Sequence, residues 1–349
     1  MTIVTGIDLP ATAPGGSVEL FHDLYTASDA PLEKESWAFM LGPEHSSQGK
    51  PSLFDGTGKC IQGPPFRHYV NHLVDQLRQQ APTPDVLHLQ HLVFGASPAL
   101  SAAFPNTPSI ALIHGTDLLY ARASLTQHAV LTQISQRSRS VVAPTPGMAD
   151  LLRRLVPTFP TERIVHVPWG VPDHLLASPP IRPAQRSPGP LRLLYAGRLT
   201  PEKGTADLLT ACSEAGAELS VAAPTPPMEH GARYLGWFCR RALWSQFAHH
   251  DLLVVPSAKL EAFGLVAVEA QACGLPVLYR EVPGLTDSLG DSAIGVSDMS
   301  TRTVSSALAW LSKDLRVLDQ VREVGYRNAA RFPLSATANA LRDLTHQVS

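Results

Sequence analysis

A chain of 349 residues that is 44% hydrophobic and 17% charged, with mean hydropathy near zero, is long for one core and reads as a globular protein of two domains. Its net charge of −2 argues against nucleic acid or an anionic membrane surface as the main partner, and no apolar run approaches the length of a membrane span. Four scattered cysteines (Cys60, Cys212, Cys239, Cys273) without a C-x-x-C pair, and an N-terminus lacking the basic and apolar regions of a signal peptide, lead us to expect a reduced, cytoplasmic protein.

Short apolar runs alternate with amphipathic stretches through the first half. Strands are expected at 2–6, 36–41, 85–90, 109–114, 140–144 and 163–168, with helices at 68–80 and 146–155 among them. Apolar strands separated by helical patterns imply a parallel sheet covered on both faces. A proline-rich stretch at 171–190 breaks the periodicity and reads as a linker. The pattern then restarts, with strands at 191–197, 218–223, 232–236, 251–257 and 275–280 and an amphipathic helix at 334–348. The expected division is a domain over 1–170, a linker over 171–190, a second domain over 191–332, and a C-terminal helix over 333–349 that could return to the first domain. The fold class is α/β: two doubly wound, Rossmann-like domains facing a cleft, with ligands at the carboxyl ends of both sheets. Residues 42–66 fit no element.

The densest chemistry lies in the second half. "LLYAGRLTPEKG" ends a strand at Gly197 and runs through Arg198, Pro201, Lys203 and Gly204 toward the next helix. Two cations five residues apart on such a turn suit a diphosphate, the guanidinium as a fork and the ammonium as a mobile point charge. The same residues also fit an ordinary solvated loop. Downstream, "LEAFGLVAVEAQACGLPV" sets Glu261 and Glu269 eight residues apart around a helix start. The N–H groups of Gly264, Leu265 and Val266 would be unpaired there, where the helix dipole favours anions, and Gly264 admits close approach of a phosphate. Glu269 could accept hydrogen bonds from vicinal hydroxyls; a solvated Glu269 and a capping Glu261 are the alternative.

Other motifs are absent or weak. His88 and His91, three apart on an expected strand, point to opposite faces and make a poor metal pair. His249 and His250 close a helix. No G-x-S-x-G, H-E-x-x-H or G-x-x-x-x-G-K-[ST] motif occurs, which removes support for hydrolase-elbow, zincin and P-loop chemistry.

"AGRLTPEKG" and "PSAKLEAFGLVAVEAQACGLPV", at their spacing, resemble the donor half of the retaining glycosyltransferases of family 4, which have the GT-B fold. Glu261 and Glu269 match that family's E-x7-E pattern, and Arg198 and Lys203 its Arg/Lys pair. In the first half, Gly15-Gly16 resembles the family's glycine loop. "IHGTD" (113–117) resembles its His-Gly segment, and "VHVPWGVPD" (165–173) its hinge-side P-x-G-V-D pattern. The match departs at Trp169, where Asn is common, and at Pro172, which separates Val171 from Asp173.

The resemblance implies a transfer from a UDP-sugar with no metal and no further cofactor. Arg198 and Lys203 would neutralise the departing diphosphate in place of the ion that other glycosyltransferases hold with D-x-D, a motif this chain lacks. Glu261 would orient the sugar, Glu269 would bind the ribose diol, and Phe238 would sit by the nucleobase. Gly16, Gly264, Leu265 and Val266 would line the nucleotide-sugar, and His114 would approach the anomeric centre from the acceptor domain. The reaction would run through an oxocarbenium-like transition state with departure and attack on one face.

Residues 1–60 hold eight acids (Asp8, Glu19, Asp23, Asp29, Glu33, Glu35, Glu44, Asp55) against three lysines (Lys34, Lys50, Lys59). Such an excess would attract a cationic acceptor, though a solvated acidic face has the same composition. The expected pair is therefore UDP-N-acetylglucosamine and a small, polar, cationic acceptor, an aminocyclitol such as 2-deoxystreptamine in antibiotic biosynthesis. Two rivals stand beside it: a phosphorylase or nucleotide-sugar epimerase on the same fold, and a non-catalytic nucleotide-sugar binding partner. Oligomeric state is not legible in the sequence.

Overall fold

A computed structural model describes residues 1–10, 15–42, 51–56, 58, 64–183, 189–205, 208–228 and 231–349. The chain divides into two compact units. One comprises residues 1–13, 17–169 and 335–349, the other residues 14–16 and 170–334.

In the first unit, the described strands are β1 (Ile3–Pro10), β2 (Ser36–Leu41), β3 (Ser52–Phe54), β4 (Val86–Gln90), β5 (Ser109–Leu112), β6 (Ser140–Ala143) and β7 (Ile164–His166). They form one parallel sheet in the order β3-β2-β1-β4-β5-β6-β7. Every residue of β4, β5 and β6 is buried, as strands covered on both faces require. The order reverses between β1 and β4, where such sheets open a crevice at the strands' carboxyl ends. β3 lies in the segment the sequence left unassigned. It is three residues long at the sheet edge, too short to carry a periodicity.

The second unit repeats the design with β8 (Arg192–Ala196), β9 (Glu218–Ala222), β10 (Arg233–Gly236), β11 (Leu252–Val255), β12 (Val277–Arg280) and β13 (Ile294–Val296), in the order β10-β9-β8-β11-β12-β13. All its pairings are parallel, and the reversal falls between β8 and β11. Leu193, Leu252, Val254 and Leu278 from the sheet pack with Leu208, Val304, Leu308 and Leu311 from its helices. The unexpected strand is again a three-residue edge strand, β13.

The proline-rich stretch expected as a linker is more structured than that. It carries the helix Asp173–Ala177, and Arg182 donates to the carbonyls of Phe247 and His250 at 2.6 and 2.7 Å. Residues 184–188 of that stretch lie outside the described residues. Val171 bridges Pro333, with Val171 N–H on Phe332 O at 2.9 Å and Leu334 N–H on Val171 O at 2.8 Å, so the unit's two ends meet.

The helix Leu334–Val348 belongs from Ser335 onward to the first unit. Thr337 Oγ1 donates to Pro168 O at 2.8 Å, and Arg342 holds Glu35 Oε1 at 3.0 Å and Pro31 O at 2.7 Å. No described helix is long and apolar enough to cross a membrane.

Candidate active site

After β8 the chain turns through Gly197 and the half-buried Arg198, whose carbonyl accepts the Tyr195 hydroxyl at 2.5 Å. Pro201–Lys203 form a single 3-10 turn that ends at Gly204 in the left-handed region (φ 66°). A Cβ at position 204 would overlap the Pro256 carbonyl, so this close approach to the loop after β11 requires glycine. Ala258 N–H donates to Glu202 O at 2.8 Å and fixes the contact. Lys203 Nζ then lies 2.9 Å from both Oε1 and Oε2 of Glu261, and Ser257 Oγ donates to Oε2 at 3.1 Å.

Glu261 is held from a second direction by Gly284 (φ 87°), where a Cβ would overlap the Glu261 carbonyl oxygen. Its N–H donates to Pro283 O at 3.3 Å. Phe263, two residues on, anchors the loop in the core edge-to-face with Phe332, and Ser288 Oγ caps its carbonyl at 2.6 Å.

The helix Leu265–Ala272 starts at Gly264, which is left-handed at φ 80°. Its hydrogen-bonded ladder opens with Ala267 N–H and Val268 N–H on Gly264 O at 2.9 and 3.2 Å, leaving the N–H groups of Leu265 and Val266 ahead of the ladder. Gly16 groups with this unit, and a Cβ on it would stand 3.5 Å from Leu265 Cδ1. The structure thus brings Lys203, Glu261 and Gly264 together, with Arg198 five residues before Lys203 on the same turn.

Glu269 does not stand in solvent. It is 5% exposed; Arg240 binds its Oε1 through Nε at 2.9 Å and Nη2 at 2.7 Å, and Trp244 Nε1 donates to Oε2 at 2.8 Å. The Arg240 guanidinium also lies over the Trp244 ring at 5.4 Å. Phe238 is half-buried in the loop between β10 and the helix Arg240–Phe247 that supplies this clamp.

His114 belongs to the first unit, just beyond β5. Its N–H donates to Asp117 Oδ2 at 3.2 Å, which also takes Leu92 N–H at 3.4 Å, while Oδ1 takes Leu118 N–H at 3.0 Å. One buried carboxylate therefore ties the loops after β4 and β5, and burial pushes it up to about 6 against those donors. The His114 ring stacks on His91 (4.5 Å, 25°) and on Trp169 (5.7 Å, 22°). His91 has φ 51°, an uncommon conformation for a non-glycine residue and one that concentrates at functional sites. Among the described residues, His88 and His91 join no cluster of three metal-ligating side chains.

Three carboxylates of the acidic N-terminal segment are engaged within the protein. Asp8 is buried and takes Gly95 N–H at 2.7 Å, Glu35 pairs with Arg342, and Asp55 stands 3.6 Å from His72; Glu44 lies outside the described residues. Several contributors carry no motif. Gln90, Arg240 and Gly284 act through contacts distant in sequence, and Ser257, Asp117 and Trp169 sit in stretches whose resemblance assigns them nothing.

Residues 20–175 match the model of Glycosyltransferase Family 4, and residues 190–314 that of Glycosyl transferases group 1. A glycogen synthase of Mycobacterium tuberculosis (strain CDC 1551 / Oshkosh) is 28% identical over 238 residues, 61% of this chain and 56% of that protein. A D-inositol 3-phosphate glycosyltransferase 2 of Catenulispora acidiphila is 35% identical over 182 residues, 44% of this chain and 42% of the relative. The chain thus spans about half the length of these curated relatives. Sucrose-phosphate synthase from Thermosynechococcus elongatus superposes with a TM-score of 0.79 at 18% identity, over 99% of both chains. Anabaena HepE in complex with UDP and glucose does so with a TM-score of 0.76 at 15% identity, over 99% of this chain and 100% of that one. These two likenesses establish the fold. One glycosyltransferase model thus falls on each of two parallel-sheet α/β units whose fold is of the GT-B type, the Glycosyltransferase Family 4 model on the first.

Proposed function

We propose that the protein is a retaining, metal-independent glycosyltransferase that moves a hexose or N-acetylhexosamine from a UDP-sugar to a hydroxyl of a small polar cyclitol. The Lys203–Glu261–Ser257 cluster, in which Glu261 stands three residues ahead of the helix start at Gly264, carries this reading. It sets a cation and helix N-terminal N–H donors, which suit a diphosphate, beside a carboxylate, which suits sugar hydroxyls.

In this reading the anomeric C–O bond breaks with its electron pair passing to the β-phosphate oxygen of UDP. Arg198 and Lys203 neutralise that charge in the role a divalent ion fills elsewhere. The acceptor oxygen forms the new C–O bond on the same face, and its proton passes to the leaving phosphate. Positioning and electrostatic stabilisation are then the protein's contribution. Glu261 orients the sugar and His114 contacts it. Phe238 sits at the base, Gly16 with Leu265 and Val266 lines the donor, and Glu269, aimed by Arg240 and Trp244, takes the ribose.

A similar structure holds UDP and glucose, which supports a uridine donor. A relative named for D-inositol 3-phosphate supports a cyclitol acceptor. UDP-N-acetylglucosamine with an aminocyclitol such as 2-deoxystreptamine is the first pair to test, against UDP-glucose, GDP-sugars, inositol and inositol phosphate. In the presence of EDTA, product mass spectrometry should show a glycoside, and proton NMR of that product should show the donor's anomeric configuration. No product from any uridine donor would overturn the reading, and sugar phosphate formed from orthophosphate would replace it with a phosphorylase.

A further inference from the structure

A buried chain of hydrogen bonds in the first unit runs from His114 to the C-terminal helix. Thr345 Oγ1 lies 2.6 Å from Leu341 O, which can only accept, so the Thr345 hydroxyl donates there. His88 Nε2, 2.8 Å from Thr345 Oγ1, must then be the donor of that pair. That leaves His88 Nδ1 as an acceptor, and the Tyr25 hydroxyl, 2.8 Å away, donates to it. Burial lowers His88 to about 3, so the ring stays neutral and carries a single proton.

Gln90 completes the chain. Thr5 Oγ1 donates to His88 O at 2.8 Å, so at 3.3 Å it can only accept from Gln90 Nε2. That contact aims the amide nitrogen at Thr5 and turns Oε1 toward His114 Nε2, 2.7 Å away. An amide oxygen cannot donate, so the proton of that bond sits on His114 Nε2.

We propose that Gln90 is a positioning residue that fixes His114 as the Nε2–H tautomer, making Nδ1 the ring's acceptor for a sugar hydroxyl. The direction of the chain is set at its ends by two backbone carbonyls, His88 O and Leu341 O, the second in the C-terminal helix. The sugar contact rests on the reading of His114 given above; the tautomer does not.

Two-bond proton–nitrogen correlation spectra of the full chain, labelled with 15N-histidine and recorded at pH 7 without substrate, report both tautomers directly. The expected spectrum shows neutral Nε2–H patterns for His88 and His114. Gln90→Met should convert His114 to a mixture while His88 keeps its pattern. Its kcat should fall about tenfold with UDP affinity unchanged, the usual cost of losing a group that orients a functional side chain. Gln90→Glu, which still accepts from Nε2 although it no longer donates to Thr5, should keep the proton on His114 Nε2. A folded Gln90→Met with an unchanged His114 pattern, or an Nδ1–H pattern in the wild type, overturns the assignment. Should Gln90→Met fail to fold, Thr345→Val tests the far end: His88 should lose its fixed pattern, and retention of it would overturn the chain. Full turnover in His114→Ala would instead remove the sugar contact and leave the tautomer lock standing.

Discussion

Lys203 Nζ stands 2.9 Å from both carboxylate oxygens of Glu261, so the residue assigned to the diphosphate and the residue assigned to the sugar neutralise each other directly. An incoming diphosphate competes with Glu261 for that ammonium. Glu261→Gln should therefore bind UDP at least as tightly as the wild type, by up to about fivefold, the worth of a partly exposed ion pair. Its transfer rate should fall about 100-fold or more, because the sugar loses its charged acceptor. Lys203→Met should weaken UDP about tenfold. Calorimetry and initial rates separate the two; weaker UDP binding by Glu261→Gln would mean that Glu261 holds Lys203 in place for the phosphate.

Gly284 is where the backbone of Glu261 is fixed, which makes a methyl group there a probe of the loop. Gly284→Ala combines φ 87° with overlap onto the Glu261 carbonyl. Gly216, at φ 64° with nothing within 4 Å of a Cβ, isolates the conformational cost alone. Gly216→Ala should lose about 1 kcal/mol in urea denaturation and keep full turnover. Gly284→Ala should lose about 3 kcal/mol or more and most of the activity, since Glu261 must move. Equal behaviour of the two variants would show that the position of Glu261 does not depend on this packing.

Most strands of both sheets were legible because a run of Val, Ile and Leu flanked by turn residues has few other uses. β3 and β13 were not, since three edge residues carry no period. The site was legible where it is local in sequence. Arg198 and Lys203 share one turn, and Glu261 and Glu269 flank one helix start. Its supporting contacts are not local: Arg240 is 29 residues from Glu269, and Gln90 is 24 from His114. Glu269, for which the sequence left a solvated carboxylate as the alternative, is buried because its partners arrive from another helix. Within the acidic segment 1–60, Asp8 and Glu35 are likewise engaged by groups distant in sequence.

That clamp on Glu269 gives a third test. Arg240→Met leaves a buried carboxylate without its cation and should cost about 3–5 kcal/mol. Trp244→Phe removes only the indole N–H and should cost about 1–3 kcal/mol. Adding Glu269→Gln to Arg240→Met should recover much of the stability, because no buried charge remains. UDP affinity then separates the roles: if the doubly substituted, folded protein binds UDP as the wild type does, Glu269 serves the fold and the ribose assignment fails.

Asp117 makes the first unit sensitive to acid in an unusual direction. Its carboxyl is raised from 3.8 to about 6 by burial, so the folded state holds the proton more tightly than the unfolded chain does. Below about pH 4 both states are protonated and the group has no effect on stability. Between about pH 4 and 6 the unfolded chain releases the proton first, so the group's contribution falls as pH rises, by up to about 3 kcal/mol in all. Above about pH 6 both states are ionised and the penalty is constant. Asp117→Asn, which can still accept the N–H of His114, carries no such term. The stability of the wild type relative to Asp117→Asn should therefore decline from pH 4 to 6 and then level off in urea titrations. A difference that instead grows in favour of the wild type across that range would show that the N–H donors of Leu92, His114 and Leu118 outweigh burial and hold Asp117 as a carboxylate.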